Sequence, residues 1–246
     1  MSDFKFPTED VDLPSKGLIY PKDNPLSSGK VEMKYMTAKE EDILTNQSFI
    51  QKGTVLDKLL RSLIVNKDIN LDDLIVGDKN AIMIATRILG YGADYKVTIG
   101  EEEHTIDLGR IENKEFDTSL ITDGQNEFSF TLPHSKIDIT YKILNGLDEE
   151  KISREVAGLK KLNKNSSAEL STRMKYMILS VNGDSEKKTV REFVDNGFLA
   201  RDARAFRDHI KTTSPDVDLS YVLDNGKEVE VSIGLNFFWP ELGNSL

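Results

Sequence analysis

The sequence predicts an α+β protein: a helical body with an inserted small antiparallel β lobe, a C-terminal β hairpin and an extended N-terminal arm. Apolar residues recur at helical spacing in two separate stretches, which predicts the body. Between those stretches, short runs alternate apolar and polar residues, as strands with one buried face do. Four of the seven prolines lie in the first 35 residues, where they exclude a long helix.

The expected segments are 1–36 for the arm, 37–92 for the first part of the body, 93–145 for the lobe, and 146–246 for the second part of the body with the hairpin. Helices on both sides of the lobe must bury their apolar faces together. We therefore expect one discontinuous body domain.

The arm contains the segment "LPSKGLIYP", Leu13 to Pro21, in which two prolines and a glycine punctuate apolar residues. Prolines stiffen a free chain, so docking such a segment on another surface costs less ordering entropy. Two interpretations stay open, because the arm can dock on a neighbouring protein or fold back on its own domain. In the first interpretation the partner-binding residues of the arm are Leu13, Leu18, Ile19 and Tyr20.

The first part of the body is predicted to be helical. Thr37 suits an N-cap and Glu40 follows three residues later, which together make a capping box, and Gly53 is expected to end this helix. The run "TVLDKLLRSLIV" then places four leucines on one face. In "GDKNAIMIATRILGYG", Asp78 is expected to cap a third helix, which a pair of glycines ends.

The lobe, between Tyr95 and Leu144, is predicted from four short runs: "YKVTI", "HTIDL", "EFSFTL" and "KIDITYKI". Turn segments such as "GEEE" and "TDGQN" separate them. The alternation and the short connections predict one small antiparallel sheet.

The second part of the body begins with two amphipathic runs, "LDEEKISREVAGLKKL" and "AELSTRMKYMILSV". The second run carries apolar residues on one helical face as far as Val181. A turn at "VNGD" precedes a short helix, "KKTVREFV", and a longer one, "FLARDARAFRDHI". The chain closes on the strands "DLSYVL" and "EVEVSIGLNFFWP", joined by a hairpin turn at Asn225 and Gly226.

Composition and charge exclude several classes of protein. The chain has no cysteine, which removes disulfides, thiolate nucleophiles and the usual zinc cages. The net charge of −10 disfavours nucleic-acid binding, although the stretch 173–211 carries nine Lys and Arg against six acids. No apolar run approaches the roughly 18 residues that a bilayer span needs, and the first ten residues do not read as a signal peptide. We expect a cytosolic product without membrane contact.

The sequence offers no catalytic or metal-binding pattern. His104, His134 and His209 lie far apart, and none stands at a metal-ligand spacing. The run "NKDINLDDLIVG" alternates like a calcium loop, but Leu71 and Gly77 occupy the positions of the turn glycine and the bidentate glutamate. A dinucleotide fingerprint, a Walker loop and a nucleophile elbow are all missing from the sequence. We predict that the protein is not an enzyme and that it binds no cofactor and no metal.

The end of the chain suggests a second contact surface. Phe237, Phe238 and Trp239 are consecutive, and alternation along a strand turns at least one of them away from the buried face. The aromatic side chains belong either to a core strand partly covered by a loop or to an interface anchor. The anchor interpretation adds Phe238 and Trp239 to the predicted partner-binding residues.

The helix pair around "FVDNGFLARDARAFR" has two interpretations. Arg201, Arg204 and Arg207 lie along one face of the second helix, as in a helix-turn-helix DNA reader. The alternative is an αα-hairpin whose exposed arginines pair with Asp202 and Asp208. The net negative charge of the chain opposes DNA and favours the hairpin.

Several segments, in order along the chain, carry a family resemblance: "DLPSKGLIYP", "YMTAKEEDILTN", "LDKLLRSLIV", "GDKNAIMIATRILGYGADYKV", "VNGD" with "KTVREFVDN" and "LARDARAFRDHI", "SPDVDL" and "FFWP". Together they resemble the T4-type phage baseplate hub and hub-assembly protein family of contractile-tailed phages. The resemblance runs from about Leu13 to Pro240. In some relatives the hairpin after "YGADY" carries a Cys-x-x-Cys pair suited to zinc, whereas this chain has "IGEEEH" there.

The resemblance implies a non-enzymatic tail protein that acts through protein–protein contacts. It would be a structural component of the baseplate hub, found in the virion, or a factor that assembles the hub in the host cytoplasm. The implied partners are other phage baseplate and hub proteins, and self-association is also open. The alternatives are a transient assembly chaperone absent from the mature virion and a DNA-binding regulator that uses the helix 199–210.

Overall fold

The computed structural model describes residues 7–99, 101–162, 168–239 and 244–245. The helices are α1 (Ala38–Leu44), α2 (Gln47–Gln51), α3 (Val55–Leu63), α4 (Val76–Tyr91), α5 (Gly146–Leu162), α6 (Glu169–Met177), α7 (Lys187–Glu192) and α8 (Ala200–Thr213). The strands are β1 (Thr8–Asp12), β2 (Lys30–Lys34), β3 (Asp94–Ile99), β4 (Glu102–Asp107), β5 (Phe128–Thr131), β6 (Asp138–Tyr141), β7 (Ile178–Val181), β8 (Ser220–Val222), β9 (Glu228–Glu230) and β10 (Asn244–Ser245).

The strands form four small sheets within the described residues, and the predicted α+β class is confirmed. Strands β1 and β2 pair antiparallel, as do β8 and β9. Strand β3 lies between an antiparallel β4 and a parallel β10. Strand β6 lies between β5 and β7, both antiparallel to it. Within the described residues, no helix combines the length and the apolar character needed to cross a membrane.

A single continuous cluster of buried apolar side chains joins most of these elements. It includes Leu13 before β2, Leu59 on α3, Val97 on β3, Ile139 on β6 and Phe238 near the end of the described chain. A smaller cluster joins α5 to α6. Most of the helices, the lobe and the segments around Leu13 and Phe238 therefore share one core.

Several elements form where local sequence predicts them. At the start of α1, the Glu40 carboxylate accepts from the Thr37 N–H at 3.0 Å and the Thr37 hydroxyl at 2.6 Å, which confirms the capping box. The turn between β8 and β9 has Gly226 at a φ of 79°, the left-handed conformation that glycine adopts without strain. These features depend on neighbouring residues alone.

The predicted N-terminal helix up to Gly53 is two helices, because Asn46 caps α2 after α1 has ended at Leu44. The predicted cap of α4 is also wrong. Ile75 is the N-cap of α4, and Asp78 lies inside its first turn with its side chain buried.

The strands of the lobe form at the predicted runs but belong to two sheets rather than one. The chain between β4 and β5 leaves the lobe, and its Lys114 N–H donates to the Asp216 carbonyl at 2.8 Å. The second sheet also recruits β7 from the second part of the body. Gly100, part of the predicted "GEEE" turn, lies outside the described residues.

The helix predicted as far as Val181 ends at Met177. Ile178 and Val181 occur at spacings that suit a helix, but β-branched residues also favour strands. Residues 178–181 form a strand and not a helix because they pair with the edge of β6 as β7.

Candidate functional site

Most of the arm residues that were predicted to bind a partner are buried inside the protein. Leu13, Ile19 and Tyr20 are at most 5% exposed, and Leu18 is half-buried. The prediction of an extended arm is wrong, because β1 and β2 pair with each other and, with the loop between them, pack against α4. Of the two interpretations of this segment, the one in which it folds back describes the structure. Residues 1–6 of the arm lie outside the described residues.

Two glycines let the loop between β1 and β2 close. Gly17 has a φ of 76° and Gly29 a φ of 71°. A Cβ atom on Gly17 would lie 2.6 Å from the backbone nitrogen of Gly29, so the two backbones approach too closely for any larger residue. The Leu13 N–H donates to the Gly29 carbonyl at 2.9 Å, which fixes the start of the loop.

A buried polar cluster joins this loop to α4; we call it the Asp78 cluster, and its members are Ser15, Tyr20, Ile75 and Asp78. The Asp78 carboxylate accepts from the Ser15 N–H at 2.9 Å, the Ser15 hydroxyl at 2.6 Å and the Tyr20 hydroxyl at 2.6 Å. The Tyr20 oxygen in turn accepts from the Ile75 N–H at 3.1 Å. Each polar group therefore has a partner.

Burial dominates the electrostatics of the Asp78 cluster. Desolvation raises the pKa of Asp78 above its ordinary value, and the donors from Ser15 and Tyr20 only partly oppose it. Burial also raises the pKa of Tyr20, and the neighbouring Asp78 charge adds to the effect. Tyr20 therefore stays protonated and acts as a hydrogen-bond donor that holds the loop in place.

The aromatic end of the chain is also built into the core. Residues Leu235–Phe238 form a 3-10 helix rather than the end of a strand, so the alternation argument fails there. Phe237 and Phe238 are both buried, and the Phe237 ring lies 5.0 Å from that of Tyr95. Phe238 is thus corrected from an interface anchor to a core residue, and Trp239 is half-buried.

The outer face of α8 carries Arg201, Arg204 and Arg207, all exposed. Arg204 Nε lies 3.9 Å from a carboxylate oxygen of Asp208, a surface pair one turn away. The hairpin interpretation also expected Asp202 to pair with an arginine. Among the described residues it does not, because its side chain is buried on the other face of α8.

The inner face of α8 is tied to the turn between β5 and β6. The Asp202 carboxylate accepts from the backbone N–H groups of His134 at 2.8 Å and Ser135 at 3.0 Å. Burial acts to raise the pKa of Asp202, but these donors outweigh it and the pKa is lowered. Phe206 is fully buried beside Tyr141, so the helix is held at two points.

The histidines form no metal site with acids or with one another within the described part of the chain. His209 Nε2 lies 2.9 Å from the Tyr141 hydroxyl, and its ring stacks on Phe130 at 4.3 Å. Burial lowers the pKa of His209, which favours the neutral ring. His209 is half-buried and packs against the core through Phe130 and Tyr141.

A surface groove that the sequence analysis did not predict carries a concentration of positive charge. We call it the basic groove; its cations are Lys142 after β6, Lys151 on α5, Lys175 on α6, and Lys187 and Arg191 on α7. Its volume is about 390 Å³. The cation excess between Arg173 and Lys211 was a signal for it, but the other two lysines come from segments that only the fold brings there.

Three cations of the basic groove are paired with carboxylates, one of which, Asp148, itself lines the groove. Lys142 Nζ lies 2.7 Å from Asp148, and Lys175 Nζ lies 2.6 Å from Asp195. Arg191 donates to both carboxylate oxygens of Glu155, each at 2.8 Å, and this pairing lowers the pKa of Glu155. Bidentate pairs of this kind fix the guanidinium plane.

Comparison of the chain with models of known protein families, with curated proteins and with solved structures gives no match.

Proposed function

We propose that the chain is a non-enzymatic tail protein of a contractile phage, either a structural component of the baseplate hub or a factor required to assemble it. It acts through contacts with other baseplate and hub proteins. The observation that carries the proposal is the ordered series of segments, from Leu13 to Pro240, that resembles the T4-type hub and hub-assembly family. The last residue of that series, Pro240, lies outside the described residues.

Most of these segments contribute buried residues to the fold. "LPSKGLIYP" supplies buried core residues and two members of the Asp78 cluster. "FFWP" supplies two more buried residues, and "LARDARAFRDHI" supplies Asp202 and Phe206. A family that keeps these segments keeps a core, so the surfaces that meet partners must be sought among exposed residues instead.

Of the residues predicted to bind a partner, Leu18 and Trp239 are half-buried, and the structure adds the basic groove as a further surface feature. Leu18 and Trp239 remain predicted contact residues because part of each side chain still reaches the surface. The groove adds a charged feature suited to specific recognition.

The proposal is tested by co-expressing the chain with the other hub proteins of the same phage and measuring complex mass by size exclusion with light scattering. A stable hetero-complex is the expected result. A chain that stays monomeric with every tail protein contradicts the proposal. Deleting the arm is a poor test, because the deletion removes core residues; Trp239→Ala is the milder variant for mapping the contact.

Mass spectrometry of purified virions separates the two forms of the proposal. A component of the hub is found in the particle at fixed stoichiometry. A transient chaperone is found only in infected cells, in complexes that disappear as tails mature.

The exposed arginines of α8 keep a DNA-binding regulator as the second candidate. Its expected signature is a salt-dependent mobility shift of duplex DNA that is lost when Arg201, Arg204 and Arg207 are all changed to glutamate. If the wild-type protein does not shift duplex DNA at low salt, the DNA-binding function is ruled out.

A further inference from the structure

We propose that the basic groove binds an acidic segment of a partner protein, a short run of Asp and Glu residues in extended conformation. That the partner is a protein follows from the function proposed above. The chemistry of the segment rests on the groove itself.

The first argument is charge. Five cations line or border the groove, and the carboxylates that contact three of them are Asp148, Glu155 and Asp195. Positive charge is therefore in excess at this place, on a chain whose net charge is −10. Such a local reversal of sign favours an acidic partner at this surface and disfavours one elsewhere on the molecule.

The second argument is preorganisation. Lys142 and Lys175 are each held by one carboxylate at 2.7 Å and 2.6 Å, and a lysine ammonium has three donors. Donors therefore remain on cations whose positions are already fixed, so that binding loses less side-chain entropy. Lys151 and Lys187 are exposed and make no ion pair within 4.0 Å among the described residues, so they are open to a new carboxylate.

The third argument is the floor of the groove. Ile178 and Val190 are buried beneath the cations, and Leu179 and Tyr176 are half-buried beside them. Glutamate side chains have an aliphatic stem that packs on such a surface while the carboxylate reaches the lysines. The volume of about 390 Å³ accommodates a few side chains, as expected for part of an extended segment.

A protein segment fits the charge distribution better than a nucleic acid does. A nucleic acid carries its charge along its whole length and meets repulsion wherever it leaves the groove, because the chain is acidic overall. A short acidic segment carries its charge only where the cations are. Single-stranded DNA is therefore the competing ligand in the test.

The experiment measures binding of fluorescein-labelled octaglutamate to the full-length protein by fluorescence anisotropy at low salt, with octaglutamine as the neutral probe. The groove variant is Lys151→Glu with Lys187→Glu, both exposed residues. The matched control is Lys52→Glu with Lys58→Glu, which makes the same charge change at two exposed lysines on α2's end and α3. Circular dichroism checks that both variants are folded.

We expect octaglutamate to bind the wild type, the groove variant to lose roughly tenfold or more in affinity, and the control to change less than about twofold. Octaglutamine should not bind. Wild-type protein that does not bind octaglutamate overturns the inference, and so does an equal loss in the two variants, because that loss would reflect total charge. Tighter binding of an eight-nucleotide DNA than of octaglutamate also overturns it and assigns the groove to nucleic acid.

The octaglutamate assay and the co-expression assay can fail separately, so each tests its own proposal. Loss of octaglutamate binding in the isolated protein says nothing of hub complexes, which the co-expression experiment measures. If complexes form but the groove variant still enters them normally, the hub function stands and the groove is not the contact.

Discussion

The Asp78 cluster makes the substitution Tyr20→Phe a sharp test of how the loop between β1 and β2 is held. The substitution keeps the buried ring and removes only the hydroxyl. That hydroxyl donates to the Asp78 carboxylate at 2.6 Å and accepts from the Ile75 N–H at 3.1 Å. Both partners are buried, and the backbone N–H loses its acceptor altogether.

The expected cost follows from these two bonds. A buried donor or acceptor left without a partner costs about 1–3 kcal/mol, and a bond to a charged group contributes toward the upper end. Asp78 keeps its two hydrogen bonds from Ser15, so its carboxylate loses only one of its three donors. We expect the free energy of unfolding to fall by about 2–4 kcal/mol, a large part of the roughly 5–15 kcal/mol of a typical domain.

The assay is urea unfolding followed by far-UV circular dichroism and by fluorescence of the single tryptophan, Trp239. Coincident transitions by the two probes justify a two-state free energy. Tyr35→Phe is the matched control, since the Tyr35 hydroxyl also donates to a carboxylate, that of Glu9, but at the surface. The control should leave the unfolding midpoint nearly unchanged.

The pH dependence supplies a second readout. Because the Tyr20 hydroxyl favours the ionised form of Asp78, its removal raises the pKa of Asp78 further above the ordinary value. The folded variant then binds more protons than the folded wild type, so its deficit in stability grows as pH rises and shrinks toward acid. A Tyr20→Phe protein within about 0.5 kcal/mol of the wild type at pH 7, or a deficit that grows toward acid, refutes this account of the cluster.

Two further predictions rest on single contacts. Gly77→Ala should lower the free energy of unfolding by about 1–3 kcal/mol, since the new Cβ would lie 2.1 Å from the Pro215 carbonyl oxygen. Gly158→Ala, at an exposed and open position near the end of α5, should instead raise it by about 0.5–1 kcal/mol, and urea unfolding midpoints measure both effects. Burial acts to raise the pKa of Glu40, but the hydrogen-bond donors around its carboxylate outweigh burial and lower the pKa to about 2. Glu40→Gln should therefore lower the free energy of unfolding by about 2–3 kcal/mol at pH 7 and by progressively less as pH falls from 4.5 toward 2. Asp42→Asn, at an exposed position of the same helix, should change the free energy of unfolding at pH 7 by less than about 0.5 kcal/mol. Equal effects of the two glycine substitutions, or a Glu40→Gln deficit that does not change with pH, would contradict the contacts described.

The helices and hairpins that depend on nearby residues could be predicted from the sequence. The capping box at Thr37, the leucine face of α3 and the turn at Gly226 each involve residues within a few positions of one another. The polar cap expected at Asp78 was wrong because a distant loop offers that carboxylate better donors than the helix terminus does.

The contact surface could be predicted only in part. The sequence identified apolar segments at both ends of the chain, but apolar character does not distinguish a core residue from an interface residue. Ile19 and Phe238 are buried because the loop and the 3-10 helix turn them inward, a direction that no local pattern specifies. The half-buried Leu18 and Trp239 are what remains of the predicted surface.

The sequence by itself determined the α+β class, the four strand runs of the lobe, most helix starts and the net negative charge, because these follow from residue type and short-range spacing. Tertiary structure alone decided that residues 178–181 leave the helix to pair with β6, that the N-terminal segment closes on Asp78, and that Lys142, Lys151 and Lys187 meet in one groove. Each of these depends on segments far apart in the chain, and the partner that satisfies a strand edge, a buried carboxylate or a cation is present only once the chain has folded.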